Sequence, residues 1–400
     1  MKCISHLDSQ PRINTSYYLI FSTFFEFIAG DVKMDNEKEA SETRLIEAVK
    51  EGNLSVLEVL IREHASLDSF DDEGCTALAI AAREGNVDAM KLLISAKALL
   101  DVRNEAGRTP LILSVLGNNA TAAQVLVDAG ASIHIRDNPG FTAFALAATF
   151  DRIEIMEILI ASGAPLDEQD TEGCSPLMCA AEEGNSAAVE LLISAKANLE
   201  VRDQNGNTAV SIAARNGESG VLKLLLDAHA SPDPKNASDW TPLLWAASFG
   251  HTDAAQVLVD SRASLEERND KGYTALAVAA SSDDDRADVI KVLLTAKVSL
   301  EARTFHGWTP LMLAAANGEL GVETARLMLN AKADLHASNH HGTALSVAAE
   351  NGDIDMIQLL LAAKASTDVK NDAGQTPLML AAKNNNNEAV QLLGVHAQME

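Results

Sequence analysis

Apolar and polar positions follow a pattern along this chain that recurs about every 33 residues. The stretch DDEGCTALAIAAREGNVDAMKLLISAKALLDVR occupies residues 71–103, and its segment LLISAKA at 92–98 returns at 191–197, an offset of 99 residues. Each block has two apolar runs, separated by a polar break such as EGN, and this spacing predicts two helices. Because a single helix pair cannot bury its own apolar face, the blocks are expected to stack on one another.

The blocks start at an Asp, an Asn or a Thr. We place the ten starts, which together cover residues 71–400, at Asp71, Asn104, Asp137, Asp170, Asp203, Asn236, Asn269, Thr304, Asn339 and Asn371. Residues 43–70 contain two helical runs without the Thr-Pro-Leu core of the later blocks. We therefore predict that residues 43–70 cap the N-terminal end of the array.

A hydroxyl residue is predicted to cap the first helix of every block, because its oxygen can accept a hydrogen bond from an unpaired backbone N–H. These residues are Thr76, Thr109, Thr142, Ser175, Thr208, Thr241, Thr274, Thr309, Thr343 and Thr376. Pro follows the cap in five blocks, where it suits the first helical position. Paired alanines such as Ala81 and Ala82 later in this helix would let a neighbouring helix approach closely.

The 33-residue period and the T-P-L core resemble the ankyrin repeat, over residues 43–400. The resemblance implies an all-α repeat solenoid, in which helix-turn-helix units with β-hairpin-like loops stack into a curved, elongated array. Eleven layers spaced by about 10 Å would extend for about 100 Å. The resemblance also implies that the loop tips and first helices line a concave groove that binds other proteins.

Several positions depart from the family pattern. The His of the family's core is absent from every block, and a Gly that commonly follows the second helix survives only as Gly130 and Gly163. Its place is taken elsewhere by His64, Lys97, Lys196, His229, Arg262, Lys297, Lys332, Lys364 or His396. We expect these residues to adopt a left-handed backbone, with strain of roughly 1 kcal/mol offset by a cation at a helix C-terminus.

Two blocks carry extra residues, near 281–288 and 318–325, and another lacks the residue between Gly342 and Thr343. The insertions are expected at the break between the two helices, or at the start of the second helix, where a bulge can be accommodated.

Mapping the family's binding surface onto this chain selects the residue after each loop Gly and the two residues after the paired alanines. The partner-binding candidates are Trp240, Phe249, Tyr273, Trp308, Phe141, Phe150, Arg108, Glu182 and Glu183. Trp, Tyr and Arg are enriched in binding hot spots. The alternative is that an aromatic after the loop Gly packs only on the neighbouring loop, and Trp245 is assigned to packing.

A basic residue recurs just before each loop tip. We predict that these residues pair with nearby loop carboxylates, with a phosphate or carboxylate ligand as the alternative: Arg103, Arg136, Arg202, Lys235, Arg268, Arg303 and Lys370.

The formal charge of −26 disfavours nucleic acid and favours basic protein surfaces as partners. Cys3, Cys75, Cys174 and Cys179 form no metal-binding or disulfide pattern, which indicates a reducing compartment. No motif of a phosphate loop, a zinc protease or a serine hydrolase occurs. The prediction is a non-catalytic adaptor or scaffold in the cytoplasm, or in the nucleus, with no cofactor and no metal.

Residues 1–33 differ from the rest, because YYLIFSTFFEFIA at 17–29 holds six of the 16 aromatic residues of the chain. At 13 residues it is too short to span a bilayer as a helix. Three interpretations remain: a secretion signal, an interfacial membrane anchor, or an extension absent from a working protein that starts at Met34. The first two give the alternative function, a secreted or membrane-tethered protein targeted by residues 1–30. Residues 34–42 are interpreted as an acidic linker.

Overall fold

The computed structural model describes residues 38–282 and 284–396, with side chains from residue 43 onward. The three interpretations of residues 1–33 therefore concern residues outside the described part. Within that part, no helix combines the length and apolar character that crossing a membrane requires.

The chain forms a helical repeat solenoid of 22 α-helices in its described residues. Odd-numbered helices open the units: α1 Lys38–Lys50, α3 Ala77–Glu84, α5 Pro110–Leu116, α7 Ala143–Thr149, α9 Pro176–Glu182, α11 Ala209–Asn216, α13 Pro242–Phe249, α15 Ala275–Ala280, α17 Pro310–Ala316, α19 Ala344–Asn351 and α21 Pro377–Lys383. Even-numbered helices close them: α2 Leu54–Arg62, α4 Val87–Ser95, α6 Ala120–Asp128, α8 Ile153–Ala161, α10 Ser186–Ser194, α12 Ser219–Asp227, α14 Thr252–Asp260, α16 Ala287–Thr295, α18 Gly321–Asn330, α20 Ile354–Ala362 and α22 Asn387–His396. Helix α1 begins within the stretch 34–42 that the sequence analysis interprets as a linker.

First helices pack on first helices of the neighbouring units, and second helices pack on second helices. Ala81 and Ala82 are fully buried, and the matching pairs of the other units are also buried, except that Ala382 in the last unit is exposed. One continuous apolar core therefore runs from Leu45 in α1 to Leu393 in α22. This core is a thin layer shared by adjacent units, as the small side chains of the first helices require.

The predicted hydroxyl caps are confirmed. Thr76 Oγ1 accepts a hydrogen bond from Ala79 N at 3.3 Å, and the other caps of the first helices repeat this contact. At Thr343 the cap is reciprocal, because Thr343 N donates to Ser346 Oγ at 3.2 Å. Each first helix thus begins where the sequence places its Thr or Ser.

The residue that starts each unit organises the loop before the first helix. In the sixth unit, Asn236 Oδ1 accepts hydrogen bonds from Ser238 N and Trp240 N, both at 2.9 Å, and Asn236 N donates to Trp240 O at 3.1 Å. Asp71, Asp170 and Asn269 make the same contacts in their units. Side-chain acceptors of this kind favour tight turns, which explains the Asp or Asn at these positions.

Carboxylates also connect the ends of neighbouring units. Asp101 Oδ1 accepts a hydrogen bond from Ser132 N at 2.9 Å, and Asp233 Oδ1 accepts from Ser264 N at 2.9 Å. His134 breaks this series, and the residue 31 positions after it is Pro165, which has no N–H to donate. His336 also breaks the series, although the residue 31 positions after it, Thr367, has a backbone N–H.

The basic row does not behave as predicted. Arg303 Nη1 donates to Gly307 O at 3.1 Å and to Ser338 O at 2.8 Å, so one guanidinium bridges two loops. Arg103, Arg202 and Arg268 also donate to backbone carbonyls. Pairing with a carboxylate is found at Arg136 and Lys235. The prediction is wrong for the other four arginines, because the planar fork of a guanidinium suits two carbonyl oxygens as well as one carboxylate.

Both insertions lie at the predicted places. The first lengthens the break between α15 and α16, and the second forms a 3₁₀ helix, Gly318–Leu320, immediately before α18. The layers on either side remain stacked because the additional residues stay outside the helix pair.

The left-handed positions are confirmed. Lys97 has φ = 75°, and positive φ is also found at His64, Lys196, His229, Arg262, Lys297, Lys332 and Lys364. Lys97 N donates to Ile94 O and Ala98 N donates to Leu93 O, both at 3.0 Å, which is the Schellman pattern at a helix end. His396 is instead the last residue of α22.

Replacing Lys97 with glycine is expected to change the free energy of unfolding by less than about 0.5 kcal/mol. Glycine relieves a backbone strain of about 1 kcal/mol, but loses a helix-terminal cation worth about 0.3–1 kcal/mol and gains freedom in the unfolded state. The control Lys97→Ala keeps the strain and loses the charge, so it should destabilise by about 0.3–1 kcal/mol. Thermal denaturation followed by circular dichroism measures the stability of both variants. A sharply higher Tm for Lys97→Gly would show that the terminal cation does not offset the backbone strain.

Candidate functional site

We call the inner surface the face formed by the residue before each N-cap and by the C-terminal turn of each first helix. The residue before the N-cap lies against the fourth residue of the helix, the arrangement known as a hydrophobic staple. In the sixth unit these residues are Trp240 and Trp245, whose ring centroids lie 4.4 Å apart with stacked planes. The staple therefore gives this aromatic position a structural role in addition to any binding role.

The staple extends into a longer aromatic row, defined as Trp240, Trp245, Phe249 and His251. The centroids of Trp245 and Phe249 are 5.9 Å apart, and those of Phe249 and His251 are 6.1 Å apart, both with stacked planes. Trp245 and Phe249 are four residues apart in α13, so they lie on one side of the helix. The row thus follows α13 from the loop tip to the break before α14.

Exposure increases along the row. Trp240 is only 9% exposed, Trp245 is half-buried, and Phe249 is 47% exposed. The indole Nε1 of Trp245 is buried, and no hydrogen-bond partner for it is found among the described residues. Every other unit has a buried aliphatic residue or a Cys at the position of Trp245, such as Ile212 before it and Val278 after it. Trp245 is therefore an unusual residue at this position, and it packs against the apolar cluster of Trp240, Leu244 and Val278, as predicted.

The other aromatic candidates are divided between two places. Tyr273 is half-buried and packs against Trp240, Leu244 and Val278, so it lies beside the aromatic row. Trp308 is half-buried and lies apart from the row, with its ring centroid 5.2 Å from that of His341. The structure thus brings Tyr273 together with Trp240 at the start of the row, and it places Trp308 in a second group.

Three units before the row, a second exposed aromatic occupies the same position in its helix. Phe150 is 37% exposed at the C-terminal end of α7, and the Arg152 guanidinium carbon lies 5.9 Å from the centre of its ring. This distance is within the range of a cation–π contact. Phe141, before the N-cap of the same helix, is half-buried and packs against the core.

The charged candidates are constrained by neighbours. Arg108 Nε lies 3.9 Å from Asp137 Oδ2. Glu182 Oε1 lies 3.8 Å from Arg215 Nη2, and burial raises the pKa of Glu182 while the Arg215 charge partly lowers it. Burial also raises the pKa of Glu183, and the nearby Glu218 adds to this shift by repulsion. These side chains give the inner surface partly desolvated charges of both signs.

The described cysteines are free thiols, and two of them occupy the staple positions of α9. Burial, followed by the charge of Asp170, raises the pKa of Cys174 to about 12, and burial raises the pKa of Cys179 well above its ordinary value. High pKa values keep a thiol protonated and weakly nucleophilic. Among residues 43–282 and 284–396, no three His, Cys, Asp or Glu side chains are placed to hold a metal ion.

A search of curated proteins returned no match. Among solved structures, this chain is similar to the crystal structure of the ankyrin repeat domain of Bcl-3, a unique member of the IkappaB protein family. The TM-score is 0.49 at 26% sequence identity, over 54% of this chain and 97% of that chain.

The family model described as ankyrin repeats (3 copies) matches this chain in overlapping windows. The matched residues are 22–104, 45–137, 95–170, 144–236, 222–304, 260–339, 286–371 and 311–399. Since these windows, together with the stacked helix pairs described above, account for most of the sequence, the chain belongs to the ankyrin-repeat family.

Proposed function

We propose that this protein is a non-catalytic adaptor or scaffold in the cytoplasm, or in the nucleus, that binds another protein on its inner surface. The single observation that carries the proposal is the aromatic row of α13, which ends in a Phe249 ring that is 47% exposed. Large aromatic rings that remain exposed in a preformed surface are favourable anchors for a partner. The other aromatic candidates are Tyr273 beside this row, Trp308 in a second group, and Phe150 three units before the row.

The units are proposed to be divided as the sequence predicts. In this division residues 1–33 form an extension, 34–42 a linker whose last residues, from Lys38 onward, belong to α1, 43–70 the cap and 71–400 ten repeats. Ankyrin repeats are protein-interaction modules, and a rigid stack of this kind orders few residues of its own on binding.

The partner is proposed to present a basic surface. The chain carries a formal charge of −26, which would attract a basic protein at long range and accelerate its association. Part of this attraction would be screened at physiological ionic strength. The association rate is therefore expected to fall as salt is added.

The test uses a double variant, Trp245→Leu with Phe249→Asn. Both new residues occur at the matching positions of other units, as Leu313 and Asn216, so the fold should persist. Proteins captured from a cell extract by the full chain are identified, and each affinity is measured. We expect the double variant to weaken binding by about 30-fold, the effect of losing a 2 kcal/mol hot spot.

The matched control is Leu99→Ala, because Leu99 is 59% exposed but follows the second helix of its unit, away from the inner surface. This variant should bind as the wild type does. If the double variant keeps the wild-type affinity for every identified partner, the inner surface of α13 is not the binding site.

A further inference from the structure

We propose that Phe249 and the neighbouring carboxylates of Asp284 and Asp285 bind an arginine side chain presented by the partner protein. The inference rests on the proposed function, because it names the chemistry of the segment that the inner surface binds. It follows from three observations about the end of the aromatic row: a contact that the chain already makes elsewhere, the small residues on one side of Phe249, and the acidic loop beyond them.

The chain itself contains the contact that we propose. Phe150 and Phe249 are 99 residues apart and occupy the same position in their units. Arg152 places its guanidinium carbon 5.9 Å from the centre of the Phe150 ring. The residue that matches Arg152 in the sixth unit is His251, so an imidazole, 6.1 Å from the centre of the Phe249 ring, takes the place of the guanidinium. The Phe249 ring is also more exposed, 47% against 37% for Phe150.

The unit that follows the row has small residues at the positions that match the end of α13. Helix α15 is six residues long and ends at Ala280. The position that matches Phe249 in this unit is Ser282, and the position before it is Ser281. The seventh unit therefore has no large side chain at the position that matches Phe249, so none of that size would compete with a partner's side chain for the ring.

The acidic loop is held next to the end of α13 by one guanidinium group. Arg286 Nε donates to Ser248 O at 3.0 Å, and Arg286 Nη2 donates to Asp284 Oδ2 at 3.0 Å. The Arg286 side chain thus binds both the carbonyl of Ser248, the residue before Phe249, and the carboxylate of Asp284. Asp284 is 76% exposed, so its carboxylate can accept a second donor, and Asp285 beside it is also exposed.

These features together favour arginine over lysine. A guanidinium is planar, so it can lie against an aromatic ring while its edge donates to a carboxylate, whereas an ammonium group cannot stack. The charge of the whole chain, −26, also favours a cationic segment. The expected occupant is therefore an extended segment of a basic protein, with an arginine at Phe249.

The experiment measures binding of two defined peptides to the full chain, by isothermal titration at low salt. The peptides are acetylated, amidated tetra-arginine and tetra-lysine, which carry the same charge. The wild type should bind tetra-arginine more tightly. Phe249→Asn should lower the affinity for tetra-arginine by about two- to fivefold and leave the affinity for tetra-lysine almost unchanged. Asp284→Asn with Asp285→Asn should lower the affinity for both peptides, because the two carboxylates attract either cationic peptide.

Two control variants match these changes. Phe70→Asn removes an aromatic ring that is 59% exposed but lies before the first repeat, far along the array from Phe249, and should leave both affinities unchanged. Asp128→Asn with Asp260→Asn makes the same charge change on second helices, at exposed residues, and should have a smaller effect than the Asp284 and Asp285 pair. Circular dichroism of each variant checks that the fold is intact.

Equal affinity of the wild type for the two peptides, or an unchanged affinity of Phe249→Asn for tetra-arginine, would overturn the arginine site. The proposed function would still hold after such a result if the Trp245→Leu, Phe249→Asn variant binds the captured proteins more weakly than the wild type does. If that double variant keeps the wild-type affinity for the captured proteins while Phe249→Asn weakens the binding of tetra-arginine, the site binds arginine but the proposed function is wrong.

Discussion

Replacing Phe144 with alanine is expected to lower the free energy of unfolding by about 3–5 kcal/mol. Phe144 is 1% exposed in α7 and is the largest of the fully buried side chains. Helix α7 packs against α5 on one side and α9 on the other, so the cavity would affect the interfaces with both neighbouring units. In a solenoid, whose stability is a sum over units and their interfaces, the loss is concentrated at the third repeat and its two neighbours.

The control is Phe144→Leu, because leucine occupies the matching position in other units, for example as Leu111 and Leu177. This change should cost less than about 1.5 kcal/mol. Urea denaturation measures both variants, and hydrogen exchange should show faster opening around α5, α7 and α9 than at the ends. A loss below about 1 kcal/mol for Phe144→Ala would indicate that neighbouring helices close the cavity.

Gly321→Ala is expected to destabilise the protein by about 1–3 kcal/mol or more. Gly321 is the first residue of α18 and has φ = −78°, so its backbone conformation suits any residue. A Cβ there would lie 1.8 Å from the carbonyl oxygen of Ala314 and 2.8 Å from its carbonyl carbon. Because the obstacle is backbone of the preceding helix α17, either that helix or the 3₁₀ helix must move.

Gly220→Ala provides the matched control, since Gly220 is also in the first turn of a second helix, α12. The nearest atom to a Cβ at Gly220 is Ser186 Oγ at 3.7 Å, an ordinary contact. Alanine should therefore stabilise α12 by up to about 1 kcal/mol. Thermal denaturation of the two variants should shift in opposite directions, and an equal Tm for both would contradict the steric explanation.

Sequence reasoning succeeded where the physical cause is local. The hydroxyl caps, the left-handed residues such as Lys97 and the placement of both insertions depend on residues within a few positions of each other. Sequence reasoning failed for Arg103, Arg202, Arg268 and Arg303, whose partners are carbonyls of the same and the next loop. The donors could be read from the sequence, but the acceptors become available only when two units are stacked.

Only the local features of the proposed site could be predicted from the sequence. Trp240 and Phe249 were selected from their positions in the unit, and Trp245 packs as predicted, but the continuous row that it forms with Phe249 was not predicted. The staple spacing from Trp240 to Trp245, followed by the four-residue spacing to Phe249, could have indicated a continuous row. The increase in exposure along that row could not be predicted, because it depends on the side chains that neighbouring units place beside it.

The sequence by itself determined the family, the two helices of each unit and the residues at which the first helices begin. These features follow from apolar periodicity and from side chains that bind their own backbone. Only the tertiary structure decided which aromatic rings are covered, which carbonyls the arginines bind and which carboxylates lie near Phe249. These features depend on contacts between residues about 33 or more positions apart, and such contacts exist only after the units have stacked.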